Sequence, residues 1–306
     1  FHLPTGAAAR DSTWAEWHYF NVVLDRDRWV YVTLMVAGRM DTPGKWGGRV
    51  LLTTRAPDGE HRSRDRYFLR GVRFDTASPD LSFGGGEALV RLEGDAYRVV
   101  AGAGDARVDL RVTPAPGRYF PPAELGSGFT SGYVTPALFA RAEGTVCLPR
   151  CEAVRGAQAY HDHNWGTWRS VTWEWGSASD STLSLLYGVV RGDSTATEGL
   201  FAYLVDARGV RGVFRPGPVR FVRMQPATAG GRTVRVPERM EFEDRRRGLR
   251  VGIDVEAVHV TDTGATFGRR FFVQMRGVAT VEERGRVIGR LPGFFETYVA
   301  EEPGSR

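Results

Sequence analysis

What most constrains this chain is a rhythm that runs from one end to the other. Short runs of aromatic and β-branched residues are set apart by glycine, proline and aspartate turn signals. Glu16–Leu24 and Trp29–Val36 read as a hairpin around Arg26-Asp27, and Gly47-Gly48 leads to a third strand at Arg49–Thr54. Pro57-Asp58-Gly59 marks the next turn. Tyr67–Phe74, Ala88–Glu93, Tyr97–Ala101 and Arg107–Val112 continue the series. The last of these alternates charged and apolar residues, so one face is buried and the other solvated. Later candidates are Val171–Gly176, Thr182–Val190, Phe201–Val205, Val210–Arg215 and Val219–Met224, then Arg250–Val258, Phe271–Val278 and Val287–Leu291. No apolar periodicity supports an amphipathic helix longer than about 12 residues. The expectation is therefore an all-β chain of antiparallel barrels or sandwiches.

Open sheets rarely exceed about ten strands, which points to two barrel-like β units and not to one sheet of about 18 strands. Two β domains, residues 1–155 and 156–306, fit the length better. Phe1–Thr13 reads as an extended lead-in, and the Pro- and Gly-rich segment Pro114–Gly132 as a long loop able to cover a cavity mouth. Tyr133–Glu143 is strand-like or briefly helical.

The charge is +5 and almost wholly arginine, Lys45 being the only lysine. The arginines are scattered and interleaved with acidic residues, which argues against nucleic acid as a partner. A peripheral contact with an anionic membrane stays open. No run approaches the roughly 20 apolar residues of a membrane span. The chain opens at Phe1 without a methionine, as it would after removal of a leader. Cys147 and Cys151 are either two free thiols or a short-loop disulfide, and the latter suits a periplasmic or secreted setting. Oligomeric state is not legible.

One stretch breaks the apolar pattern: Tyr160-His161-Asp162-His163-Asn164-Trp165-Gly166, with two of the six histidines. On a strand Tyr160, Asp162 and Asn164 share one face, and His161, His163 and Trp165 the other. A carboxyl group between two hydrogen-bonding neighbours can serve as a positioned acid. Asp162 would donate near pH 7 only if its pKa rose by about 3 units, which burial in an apolar cavity can supply. The bland alternative is a satisfied polar knot at a strand junction. His-x-His also places two imidazoles together, but a metal needs a third ligand, from His18, His259 or a carboxylate, and no motif supplies one. No metal and no cofactor are expected.

Trp165, Trp168, Trp173 and Trp175, half of the tryptophans, fall within eleven residues. Such faces shield cations or pack against flat ligands, and they also make ordinary aromatic cores. On Glu16-Trp17-His18-Tyr19 the acid and histidine share one face, Trp17 and Tyr19 the other. Tyr187 lies in a strongly apolar strand, and Glu296 among aromatics is either a second buried carboxyl or an outward residue of a terminal strand. There is no phosphate-binding glycine loop and no Gly-x-Ser-x-Gly nucleophile elbow.

The heptapeptide, followed by Trp173-Glu174-Trp175-Gly176, resembles the carotenoid 1,2-hydratase (hydroxyneurosporene synthase) family, part of a wider lipocalin-like group with tocopherol cyclases, fungal Diels–Alderases and AttH-type proteins. Glu16-Trp17-His18-Tyr19-Phe20 is similar to the Glu-Trp-Trp-Tyr signature of that group, with His18 in place of the second tryptophan. The resemblance implies two lipocalin-like β domains, an apolar pocket, and acid chemistry on an isoprenoid or polyene. Tyr160 and Asp162 match its Tyr-x-Asp, with Asp162 as proton donor, Tyr160 and Asn164 orienting it, and His161 or His163 returning the proton. Trp165, Trp173, Trp175, Trp17, Tyr19, Tyr187 and Glu296 are the expected substrate-binding residues. Hydration or cyclisation is the first reading; a pericyclase, or a non-enzymatic lipid or pigment carrier, are the alternatives.

Overall fold

The computed structural model describes residues 1–55, 59–124, 131–148, 150–192, 199–264 and 270–300. Their secondary structure is one five-residue helix, α1 (Gly6–Arg10), and twenty-one strands. In chain order these are β1 (Trp14–Val23), β2 (Trp29–Gly38), β3 (Trp46–Arg55), β4 (His61–Phe68), β5 (Arg73–Phe74), β6 (Leu81–Phe83), β7 (Ala88–Glu93), β8 (Ala96–Ala103), β9 (Ala106–Pro114), β10 (Phe120–Glu124), β11 (Ser131–Cys147) and β12 (Cys151–Thr167). There follow β13 (Thr172–Ser179), β14 (Leu183–Arg191), β15 (Phe201–Asp206), β16 (Gly209–Phe214), β17 (Arg220–Ala229), β18 (Arg232–Asp244), β19 (Leu249–Asp262), β20 (Arg270–Glu283) and β21 (Arg286–Ala300). The all-β expectation holds, and the described residues fall into two compact units that meet in sequence at Trp168 and Arg169.

The first unit is one antiparallel sheet in the order β4-β3-β2-β1-β12-β11-β9-β8-β7-β6-β5, with β10 paired to β11 off that path. The sheet curls until its limbs face each other. Ion pairs from Arg64 to Asp105 and from Arg66 to Glu87 join β4 to the far limb. Gly48 lies so close to the Phe83 ring that a Cβ there would stand 2.7 Å from it. Val32, Leu34, Leu52, Val99, Val108 and Leu110 fill the enclosed core. The second unit is a nine-stranded sheet, β16-β15-β14-β13-β21-β20-β19-β18-β17, around Tyr187, Phe242, Ile253, Phe271 and Phe295.

The strand β12 positions the site. It forms a long hairpin with β11, closed at its tip by a Cys147–Cys151 disulfide. It runs without a break through residues 155 and 156, so the polar heptapeptide is part of the first sheet, between β1 and β11.

Three expectations change. Within Pro114–Gly132, residues 120–124 form β10, and residues 125–130 lie outside the described residues. Pro121 and Pro122 are tolerated because β10 pairs with only one neighbour. The lead-in carries α1, and its first residue, Phe1, is buried against Phe74 and His18. Two strands lacked an apolar signal. β4 is mostly arginine and polar residues, and β18 places Val234, Val236, Met240 and Phe242 inward between charged residues. Pro57 and Asp58 of the expected turn fall outside the described residues.

Candidate functional site

Alternation along β12 sorts its side chains onto two faces, and β1 supplies each with partners in register. Trp17 stands opposite Asn164, Tyr19 opposite Asp162 and Asn21 opposite Tyr160. On the other face the cross-strand pairs are Glu16 with Trp165, His18 with His163 and Phe20 with His161.

The first face holds Asp162, which is 2% exposed. The Tyr160 hydroxyl donates to its Oδ2 over 2.8 Å, and the Asn164 amide donates to its Oδ1 over 2.6 Å. The expected trio is therefore joined as the alternation implies. Two residues of β11 extend it. The Tyr133 hydroxyl lies 2.7 Å from that of Tyr160, and Thr135 Oγ1 donates to Tyr133 over 2.9 Å. With Tyr160 donating to the carboxylate, each hydroxyl points toward Asp162; with Asp162 protonated, the same chain can reverse. Burial, and then the neighbouring Asp162 charge, hold the Tyr160 phenol well above its ordinary range. It stays a neutral donor. Sequence reasoning missed Tyr133 and Thr135. They lie in a strand-like segment, but only the β11–β12 register brings them to Asp162.

Trp17 and Tyr19 share this face, with Trp17 against Trp168 and Tyr19 near Tyr31, ring centroids 4.7 and 6.0 Å apart. Asn21 is fully buried, and among the described residues neither atom of its amide has a hydrogen-bond partner. An open cleft of about 410 Å³ lies beside β11, walled by Pro114, Tyr119, Phe120, Pro121, Val134 and Pro136. Asp162 is not in its wall, but the Phe120 ring is 6.0 Å from Tyr133.

The second face gathers four of the six histidines. His163 Nε2 is 2.7 Å from Glu16 Oε1, and His2 Nδ1 is 2.9 Å from the same oxygen. The His2 backbone N–H also donates to Glu16, over 2.8 Å to Oε2. His18 Nδ1 lies 3.0 Å from His161 Nε2, while His18 Nε2 donates to the Pro79 carbonyl over 2.8 Å. That donation leaves Nδ1 of His18 as the acceptor, so His161 donates to it. Burial drives His18 and His161 well below the ordinary histidine range, and neighbouring histidines add to it. Both are neutral at pH 7. Burial alone would raise the Glu16 carboxyl, but hydrogen bonds from His163 and His2 outweigh it and hold it below its usual value.

His161, His163 and Trp165 thus point away from Asp162. The sheet separates the histidines from the proton they were expected to return. Trp165 stacks on His2, with centroids 3.7 Å apart and planes 9° apart, so it does not line the Asp162 face. In the second unit Glu296 accepts from Trp173 Nε1 over 2.8 Å and from Gln274 over 3.2 Å. Its position is a partnered carboxyl among aromatics. Tyr187 is buried in the core of that unit, and Trp175 is buried on the neighbouring strand β13.

No family model matches the sequence, and no curated protein matches it. Solved structures do. A protein of Nitrosomonas europaea provisionally described as an AttH superposes with a TM-score of 0.65 at 19% identity, over 98% of this chain and 97% of that one. Kievitone hydratase from Nectria haematococca gives 0.59 at 12% identity, over 98% and 93%. CghA in complex with Sch210972 gives 0.59 at 14% identity, over 95% and 89%. The likeness is one of fold, and it is the fold that the heptapeptide implied.

Proposed function

We propose that this chain, built on a fold it shares with a hydratase, is an enzyme that protonates a carbon–carbon double bond of an apolar small molecule, with Asp162 as the acid. The observation that carries the reading is a buried carboxyl gripped from both sides by Tyr160 and Asn164 at the end of a chain of hydroxyls. Burial favours the neutral acid and the two donors favour the carboxylate, so the proton is held by a group whose two forms compete, and the donors fix its rotamer.

In the proposed step the carboxyl proton bonds to one alkene carbon and the π pair leaves the other as a cation. Tyr19 and Trp17, on the Asp162 face, would stabilise that cation with their rings. A water oxygen, or a second double bond or hydroxyl of the same molecule, supplies the electron pair that captures it. The proton released on capture returns to the carboxylate, and reversal of the Tyr160–Tyr133–Thr135 hydroxyls keeps each donor matched. The chemistry calls on no cofactor. The neighbour named a hydratase supports hydration first. The disulfide suits a periplasmic or secreted setting.

A pericyclic reading is the second. It is favoured by the CghA match and by donors that could polarise a carbonyl without giving up a proton. Mass spectrometry of any apolar molecule that co-purifies with the chain would identify a candidate substrate. Asp162→Asn keeps the shape and removes the acid, so turnover should fall by a factor on the order of 10² to 10⁴, and product formed in deuterated water by the wild type should carry one deuterium on carbon. Near wild-type turnover in the variant sinks the acid mechanism. Partial turnover without deuterium selects the pericyclic one.

A further inference from the structure

We propose that His2, Glu16 and His163 form a binding site for a divalent first-row transition-metal ion of the zinc and cobalt class. Their ligand atoms, His2 Nδ1, Glu16 Oε1 and His163 Nε2, all lie within 4.8 Å of one another. The carboxylate oxygen is 2.9 Å from the first nitrogen and 2.7 Å from the second. Zinc binds nitrogen and oxygen at about 2.0–2.2 Å, which puts tetrahedral donors about 3.3–3.5 Å apart. To admit the ion the His2 contact opens by about 0.4–0.6 Å and the His163 contact by about 0.6–0.8 Å.

Two of the ligands are fixed. Glu16 and His163 are buried on adjacent strands and meet on a diagonal, since Glu16 pairs with Trp165 and His18 with His163. The His163 ring is held between Phe1 and His18, with centroids 5.2 and 4.2 Å away. The third ligand can move: the His2 side chain is 51% exposed and lies flat on Trp165.

The electrostatics point the same way. Glu16 is 0% exposed, and its hydrogen bonds come from two imidazoles and a backbone N–H rather than from arginine or lysine. A buried carboxylate hydrogen-bonded to two imidazoles offers one oxygen and two nitrogen ligands to a dication without an arginine or lysine to displace. His163 moves its proton to the other ring nitrogen when Nε2 takes the metal. Two nitrogens and one oxygen leave a coordination position open to water or to an oxygen-bearing ligand. The site is on the opposite face of β12 from Asp162, so it goes beyond the acid reading and does not depend on it.

The test uses the tag-free full chain, dialysed against a chelator and titrated with Co²⁺ and Zn²⁺. We expect one ion per chain, a visible cobalt band of four- or five-coordinate intensity, and a rise in melting temperature with Zn²⁺. His2→Ala and Glu16→Gln should each weaken binding by about tenfold or more and abolish the cobalt band. His2 is largely exposed, so its variant keeps the fold and decides the matter even if the buried Glu16 variant does not fold. Absence of saturable one-to-one binding, or affinity in His2→Ala within about twofold of wild type, overturns the site. The readout is metal binding, so this result and the Asp162→Asn result fail independently.

Discussion

Asn21 and Tyr160 face each other across β1 and β12, and they are unequal neighbours. The tyrosine hydroxyl is bonded to Tyr133 and Asp162, while the asparagine amide, equally buried, has no hydrogen-bond partner among the described residues. A buried amide left unmatched destabilises a fold by about 1–3 kcal/mol. Its persistence beside the Asp162 network suits a group that meets its partner in the substrate.

Replacing Asn21 by leucine separates that role from a structural one. The side chains share one branched outline, and the leucine, though larger, leaves no polar atom unmatched. We expect a melting temperature equal to or above wild type. We also expect the KM for the substrate to rise about tenfold with kcat little changed, as follows from losing a hydrogen bond of about 1–1.5 kcal/mol that is made equally in ground and transition states. Steady-state kinetics and thermal melts check it. A lowered melting temperature with unchanged KM would mean that the amide serves the fold.

Buried tyrosines provide the pH test. Burial raises Tyr97, Tyr160, Tyr187 and Tyr298, with the Asp162 charge adding at Tyr160, and Glu174 and Glu296 adding at Tyr187. The folded chain thus holds these protons where the unfolded chain has released them. The raised folded values give stability that is fully present below pH 10, the ordinary phenol value, and lost as pH rises above it. A spectrophotometric titration should show these four phenols silent near pH 10 in the native chain and titrating once it unfolds. Denaturant midpoints should fall steadily above pH 10. Normal titration of all ten tyrosines would contradict the burial of the Asp162 network.

How much of this was legible varies by physical cause. The Tyr160–Asp162–Asn164 trio was readable because a strand's period of two needs no long-range information. The same period sorts His161, His163 and Trp165 onto the other face, which their assignment to the Asp162 chemistry overlooked. Tyr133 and Thr135 were hidden because a register between strands twenty-seven residues apart at the Tyr133–Tyr160 contact leaves no local mark. His2 was hidden for a similar reason: it reads as lead-in until β1 and β12 present Glu16 and His163 to it. Strand β18 escaped because its inward Val234, Val236, Met240 and Phe242 are diluted by charged neighbours and their row is interrupted by Glu238. His18, where the resembling signature has a second tryptophan, is explained by its pairing with His161 and the Pro79 carbonyl.

Gly132 shows how closely the histidine face depends on a residue with no side chain. It is the cross-strand partner of Trp165, and a Cβ there would lie 2.0 Å from the indole ring. The ring can yield only by pushing on His2, which is stacked on it at 3.7 Å. Gly132→Ala must therefore lift Trp165 off β11 and release His2 from its place beside Glu16. Overpacking of this kind costs about 1–3 kcal/mol, or a fall of roughly 2–4 °C in melting temperature for each kcal/mol in a chain of this size class. The same change at Gly102, in β8, meets nothing nearer than 3.7 Å and serves as the control. We expect Gly132→Ala to lower the melting temperature and shift tryptophan emission to the red as Trp165 meets water, while Gly102→Ala does neither. Equal effects at the two positions would mean that the indole is free to move, and that His2 is not held where its stacking places it.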